Sequence, residues 1–460
     1  MLLIIGILLV FLFGYLLSVA LVEKMHVLER FGSAFLLGFG IITLLMFCYS
    51  TLGLRITLES ALAAIGICIV FTFLVVKLLH RKLQTDLFNL LNPPPITTKF
   101  EKMIIMSITG LILGSLIIST YFPVYIWDAL ALYDFRGKII AQQGFYTQIA
   151  NNFFWFTGYP LFTSLGHTLV YLFGGNNPQF FYSLIYISFI FVFYGAIREF
   201  VSRKVGLITT LILASTPVIF DHSTFAYTNL PYSVFLSMGS IYLFVWFAKK
   251  KGVGYLILAA IMTGLSTWTR STEPFWIVNI LLLLALSLFK YKKYLVSSLI
   301  YIFSFLLIRE PWVMVNYYIL NDTGEKKAPL IVSEAASYAS ALFGVSFNFE
   351  RISEIFKFVY ANVIVSWYPL LFLFLFCLII NTKTLFKRVS SFFLIIFFLY
   401  FSLLLYATYV YSLSISYWFT IPDSARRMAM FFMPLMIYYV GLTFGRISYK
   451  KNGTKRGYDN

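Results

Sequence analysis

Apolar runs of about 20 residues, the length that crosses a bilayer as a helix, recur along nearly the whole chain, and nothing else in the sequence constrains the fold as strongly. Reading these runs between charged breaks gives thirteen candidate spans. They lie near 1–22, 32–53, 60–79, 103–120, 178–197, 206–220, 230–248, 253–269, 274–289, 294–308, 358–380, 390–411 and 428–445. Inside lipid only helices satisfy their own backbone groups locally. The expected fold is therefore all-α: a polytopic membrane protein with about 13 transmembrane helices and juxtamembrane helices in its first long outer loop. Of the 460 residues, 60% are hydrophobic and 12% charged, about half the charged share of a soluble domain. That composition excludes a water-soluble enzyme, a disordered chain and a disulfide scaffold. Cys48, Cys68 and Cys377 all fall within apolar runs, where a thiol behaves as a small hydrophobe. The opening MLLIIGILLV lacks a basic region and a small-residue cleavage site, so it reads as a retained span rather than a signal peptide.

The net charge of +17 would suggest nucleic acid in a soluble protein, but here it reads as topology and no nucleic-acid partner is expected. Placing the loop with Lys24 and Arg30 in the cytoplasm puts the Arg198/Arg203/Lys204, Lys249–Lys251, Lys290–Lys293 and Lys383–Arg388 clusters on the same side, together with a basic tail. That side holds 24 of the 35 Lys and Arg residues, the asymmetry of the positive-inside rule. The N-terminus is then outside and the C-terminus cytoplasmic. Pro93, Pro94 and Pro95 suggest a division into residues 1–102, with three spans and a cytoplasmic loop, a core of 103–445, and a tail of 446–460.

The outer face is sparing with charge and concentrates it at helix ends. After the fourth span comes YFPVYIWDALALYDFRGKIIAQQG, in which Trp127 to Ile140 can form a helix lying on the membrane. Asp128 sits where the apolar wall ends. Beside aromatics at the membrane lip it is placed to act as a general base, or simply to cap the helix that follows. Asp134 lies six residues on, off the same α-helical face, so this pair alone does not make a two-carboxylate metal site. The apolar stretch GYPLFTSLGHTLVYLFGG is short for a span and reads as a juxtamembrane helix, with His167 packed within it. Further outer groups are His222 in DHSTFAYTNLPYS, Arg270 and Glu273 in GLSTWTRSTEPFW, Arg309 and Glu310 in IREPW, and Arg426 and Arg427 in PDSARRMAMFFMPL. Arginines there can snorkel to the interface, or, since they run against the charge bias, meet an anionic partner. No phosphate-loop, dinucleotide, zinc-protease or nucleophile-elbow motif occurs.

Taken in order, PVYIWDALALYDFRGK, GYPLFTSLGHTLVYLFGG, LILASTPVIF, AYTNLPYSVFLSMGSIYLF, GLSTWTRSTEP and SARRMAMFFMPL resemble the C-type, multi-spanning glycosyltransferases, which include protein mannosyltransferases and aminoarabinose transferases. The resemblance covers roughly residues 103–445. It implies a polyprenyl-phosphate-linked sugar donor, a glycan, lipid or protein acceptor, and reaction on the outer face. Carried over, Asp128 is the catalytic base, and Arg136, Lys138, Arg270 and Arg426 are donor-phosphate ligands. Asp134, Tyr159, His222 and Glu273 are further substrate-binding candidates. No cofactor is implied with certainty, although a divalent metal fits such chemistry. Two features depart from the family pattern: Asn229 stands where many relatives carry Asp, and three extra spans precede the matching region. A lipid-linked polysaccharide polymerase or ligase would need a larger outer loop rich in Arg and His. A transporter or flippase would place charges near mid-span, whereas here they lie at span ends.

Overall fold

The computed structural model of the chain describes residues 1–81, 98–146, 159–270, 274–289, 293–322, 349–365, 368–382, 388–414, 418–420 and 422–451. Glu273, the Pro93–Pro95 boundary, the middle of the 309–357 loop, Lys383, Lys387 and the end of the tail lie outside these residues. Among the described residues all regular structure is helical. The chain opens with α1 (Leu2–Leu21), α2 (Val27–Thr51), α3 (Leu58–Leu78) and α4 (Lys99–Tyr121). Thr57 and Ser60 start α3 with a reciprocal capping box. The π-helical turn Ala129–Asp134 then runs into α5 (Phe135–Gln143), followed by α6 (Phe162–Leu172). Next come α7 (Phe180–Arg198), α8 (Arg203–Ala214), α9 (Pro217–Asp221), α10 (Asn229–Lys249), α11 (Val253–Thr269), α12 (Trp276–Phe289) and α13 (Lys293–Asp322). The chain closes with α14 (Phe349–Val359), α15 (Tyr368–Ile380), α16 (Arg388–Ser414), α17 (Pro422–Ala429) and α18 (Met433–Lys451).

Nine helices among the described residues are long and apolar enough to cross a membrane, or ten if the pair Glu350–Ile364 and Pro369–Ile380, bent by 100°, counts as one. The other expected spans are the shorter α8, α11 and α12. Contacts between loops sort the ends of the helices into two groups. At one end Ile56 N donates to Gly144 O at 2.7 Å, Tyr227 contacts Asp128, and Arg270 contacts Thr228. At the other Arg81 pairs with Glu23, Lys251 pairs with Glu199, and the Tyr255 hydroxyl donates to Lys24 O. The α8–α9 segment and α11 join one group to the other, so they run the length of the bundle despite being short. The second end carries the basic clusters.

Three expected spans are redrawn. The run 206–220 is divided between α8 and α9, because Pro217 begins a new helix at its first position. The run 294–308 extends to Asp322 through Pro311, which membrane helices tolerate because neighbouring groups take up the freed carbonyl. The run 358–380 is divided between a helical stretch that ends at Ile364 and a second that covers Pro369–Ile380, bent by 100° from the first.

Helix α10 is buried along nearly its whole length, and α2, α7 and α18 are mostly buried, whereas α3 and α4 expose most of their surface. A polar chain crosses this apolar interior. Ser240 donates to Asn279 Oδ1 at 3.0 Å and meets the Tyr400 hydroxyl at 2.9 Å. Asn279 and Tyr301 both donate to Thr263 Oγ1, at 3.2 and 2.8 Å. These bonds tie α10, α11, α12, α13 and α16 together where apolar burial against lipid gives no helix–helix driving force.

Candidate active site

The segment carrying Asp128 is placed by the end of α4. Asn177 donates to the carbonyls of Ser119, Thr120 and Phe122, and Gln179 donates to Phe122 O. These bonds satisfy the orphan carbonyls of a helix C-terminus and fix where the chain turns. Asp128, half-buried, is the residue before the π-helical turn, yet its side chain makes no capping bond and its backbone is already helical. The carboxylate instead accepts a hydrogen bond from the Tyr227 hydroxyl, 3.1 Å to Oδ2.

Tyr227 belongs to the loop between α9 and α10, which a serine cluster seats on α4 and α7. Ser115 Oγ lies 2.6 Å from Ser183 Oγ and 2.7 Å from Ser223 Oγ, and Ser183 also donates to Ser223 O at 3.0 Å. Beside Ser223, His222 is 3% exposed and its Nδ1 meets no hydrogen-bond partner among the described residues. Burial, reinforced by the Arg427 and Arg270 charges, pushes its pKa down to about 3, so the imidazole is neutral near pH 7.

Arg426 and Arg427 come from the last turn of α17, where cations complement the helix C-terminus. The Arg427 guanidinium lies over the Tyr227 ring, 5.1 Å from its centroid. Burial and the neighbouring Asp128 raise the Tyr227 phenol to about 12, against the opposing pull of Arg427, so it remains a donor. Asp221, His222, Tyr227, Arg426 and Arg427 line one cavity of about 970 Å³. Its remaining wall is largely apolar, with Ile126, Ile212, Val218, Leu370, Leu373 and Met433. Asp128 reaches the edge of this space through Tyr227. One cavity thus joins cations, a neutral imidazole and hydrocarbon, so it can take an anionic group and an apolar one side by side.

Arg270 sits behind this cavity. It donates to Thr228 Oγ1 at 3.3 Å, lies 5.2 Å from the Tyr159 ring centroid, and reaches His222 electrostatically. Tyr133 joins the same group, with its hydroxyl 3.3 Å from Thr228 Oγ1 and its ring against Tyr159.

Arg136, Lys138 and Asp134 take a different place from Asp128. The Arg136 side chain is fully buried and donates to the carbonyls of Leu132 and Tyr159, each at 3.0 Å. Lys138 pairs with Asp134 at 2.8 Å. Neither cation lines the cavity. His167 is packed, as its apolar surroundings suggested, between Asp134 and Tyr182. Arg309 pairs with Glu310 and stacks near Trp276. Among the described residues no three His, Cys, Asp or Glu side chains converge as metal ligands.

Tyr227 and Thr228 were missed in the sequence, where they are two polar residues among many in one interhelical loop. Arg427 was visible beside Arg426, but no periodicity in so short a helix says which of the two meets Tyr227. No curated protein and no solved structure matches the chain. Residues 159–314, about a third of the chain, match the model of the dolichyl-phosphate-mannose-protein mannosyltransferase family. That match bears out the resemblance to membrane glycosyltransferases of the C type over the stretch that carries Tyr159, His222, Tyr227 and Arg270.

Proposed function

We propose that this protein transfers a sugar from a polyprenyl-phosphate-linked donor to an acceptor at the outer face of the membrane. The observation that carries the reading is the convergence of Tyr227, Arg427, Arg426 and His222 on one largely apolar cavity, with Asp128 hydrogen-bonded to Tyr227 at its edge, at the end of the bundle opposite the basic clusters. The acceptor oxygen attacks the anomeric carbon, the bond from that carbon to the phosphate oxygen breaks, and polyprenyl phosphate leaves with the electron pair. Asp128 takes the acceptor proton, as a positioned carboxylate can, while Tyr227 holds one of its oxygens. Arg426 and Arg427 offset the charge that develops on the departing phosphate. The apolar wall takes the first isoprene units, and the neutral His222 offers Nδ1 to a sugar hydroxyl. Arg270, behind Thr228, adds to the positive potential. The charge asymmetry supports placing this end outside. The test is incubation of the purified full-length protein in lipid nanodiscs with a panel of radiolabelled polyprenyl-phosphate sugars and candidate acceptors, followed by identification of the product. Release of free polyprenyl phosphate with transfer to an acceptor is expected. Absence of turnover with every donor, while nucleotide sugars are used, would refute the assignment.

A further inference from the structure

The π-helical turn Ala129–Asp134 has Asp128 at its start and Asp134 at its end, and the two carboxylates face different surroundings. Asp134 is 2% exposed. Lys138 Nζ lies 2.8 Å from its Oδ2, His167 Nδ1 lies 3.2 Å from its Oδ1, and the Tyr171 hydroxyl donates to the same Oδ1. Burial works to raise this carboxyl, but the bonds from His167, Lys138 and Tyr171 outweigh it and hold the pKa down to about 2. An ionised carboxylate only accepts, so the neutral His167 carries its proton on Nδ1, and Nε2 accepts from the Tyr182 hydroxyl at 3.0 Å. The chain of bonds therefore runs from the π-helical turn through α6 to α7, which crosses the bundle. The backbones close in at the same place. A Cβ on Gly137 would lie 2.8 Å from His167 Cβ and 2.9 Å from Ser164 O, and Thr168 donates to Gly137 O at 3.1 Å.

A π-helical turn is a rare, costly insertion in an α-helix that recurs at functional sites. Relaxing it to the α-helical repeat would rotate Asp128 relative to Asp134. Something must hold the turn, and the buried bonds at its far end are placed to do so. We infer that Asp134 and His167 are positioning residues, a clamp that fixes the rotation of the turn and so directs Asp128 toward the cavity. The inference rests on the role proposed above for Asp128, and it replaces the expectation that Asp134 binds substrate.

The experiment is a double-mutant cycle on the full-length protein in nanodiscs, using the polyprenyl-phosphate sugar that gives the highest turnover in the panel assay. Asp134→Leu should lower kcat by roughly 100-fold, the scale of a misplacement of about 1 Å, with donor KM within about threefold because Arg426 and Arg427 are untouched. Asp134→Asn keeps an acceptor for His167 and Tyr171 and should recover most of that loss. Asp128→Asn combined with Asp134→Leu should be no slower than Asp128→Asn alone, since a residue acting through Asp128 has nothing left to lose. Amide exchange across 129–143 should accelerate in Asp134→Leu and stay unchanged in Asp128→Asn. Multiplicative losses in the double variant, or wild-type turnover in Asp134→Leu, would overturn the clamp while leaving the role of Asp128 intact. Where Asp134→Leu does not fold, Tyr171→Phe takes its place in the cycle, with a loss of roughly tenfold expected. Normal turnover in Asp128→Asn would remove the base and the clamp together.

Discussion

Replacing Asp128 by Asn separates its chemical role from a structural one, because the structure limits what the substitution can disturb. Asn has nearly the same volume and can still accept the bond that Tyr227 donates to Oδ2 at 3.1 Å. That bond changes from charge-assisted, worth about 1.5–3 kcal/mol, to neutral, worth about 0.5–1.5 kcal/mol, and Asp128 is only half-buried, so the folding cost should be about 1 kcal/mol or less. No helix cap is lost, since the side chain makes no capping bond. The Arg427 contact with the Tyr227 ring, 5.1 Å to the centroid, does not involve Asp128, so donor binding should persist. What Asn cannot do is take a proton. Loss of a positioned base costs roughly 100-fold or more in turnover, about 2.7 kcal/mol or more of activation free energy. The assay is initial-rate kinetics with a titrated lipid-linked donor, paired with thermal unfolding of the same preparation. A fall in kcat of at least that size with nearly constant donor KM and unfolding temperature is expected. Turnover within about threefold of wild type would refute the reasoning. An equal loss of kcat and stability would return Asp128 to a structural role.

Arg427→Lys keeps a charge but loses the planar fork that lies over Tyr227 and can grip a phosphate at two points, so donor KM should rise by about tenfold in the same kinetic assay. Gly137→Ala forces a methyl group to 2.8 Å from His167 Cβ and 2.9 Å from a carbonyl oxygen, and should destabilise the protein by about 1–3 kcal/mol in thermal unfolding. His222 has its folded pKa lowered to about 3 from 6.5, so only the unfolded chain takes up that proton between those values. Stability due to this site should be lost as pH falls from 6.5 toward 3, at up to about 1.4 kcal/mol per pH unit. His222→Gln should flatten unfolding measurements across that window. Lys250→Cys should resist a membrane-impermeant thiol reagent in intact cells, in a background with Cys48, Cys68 and Cys377 replaced. Labelling from outside would invert the bundle.

The sequence by itself determined the helical class and the grouping of loops at two ends of the bundle. Those properties depend on burial of whole segments and on charge averaged over loops, which composition records directly. It also singled out Asp128, whose distinction is a position along the chain: the first carboxylate beyond an apolar wall. Tertiary structure decided nearly everything about partners. Asp134 belongs with His167 and Tyr171, which stand 33 and 37 residues away, and Arg136 is buried on backbone carbonyls instead of meeting the cavity. Arg427 reaches Tyr227 across 200 residues of chain. The π-helical turn beside Asp128 was equally hidden, because nothing in the sequence of Ala129–Asp134 distinguishes it from an α-helical repeat. Hydropathy reports which segments leave water, and its resolution is a helix. A site is set by which face of each helix end turns inward, and neighbouring residues such as Arg426 and Arg427 project about 100° apart on a helix, so packing alone selects the groups that meet.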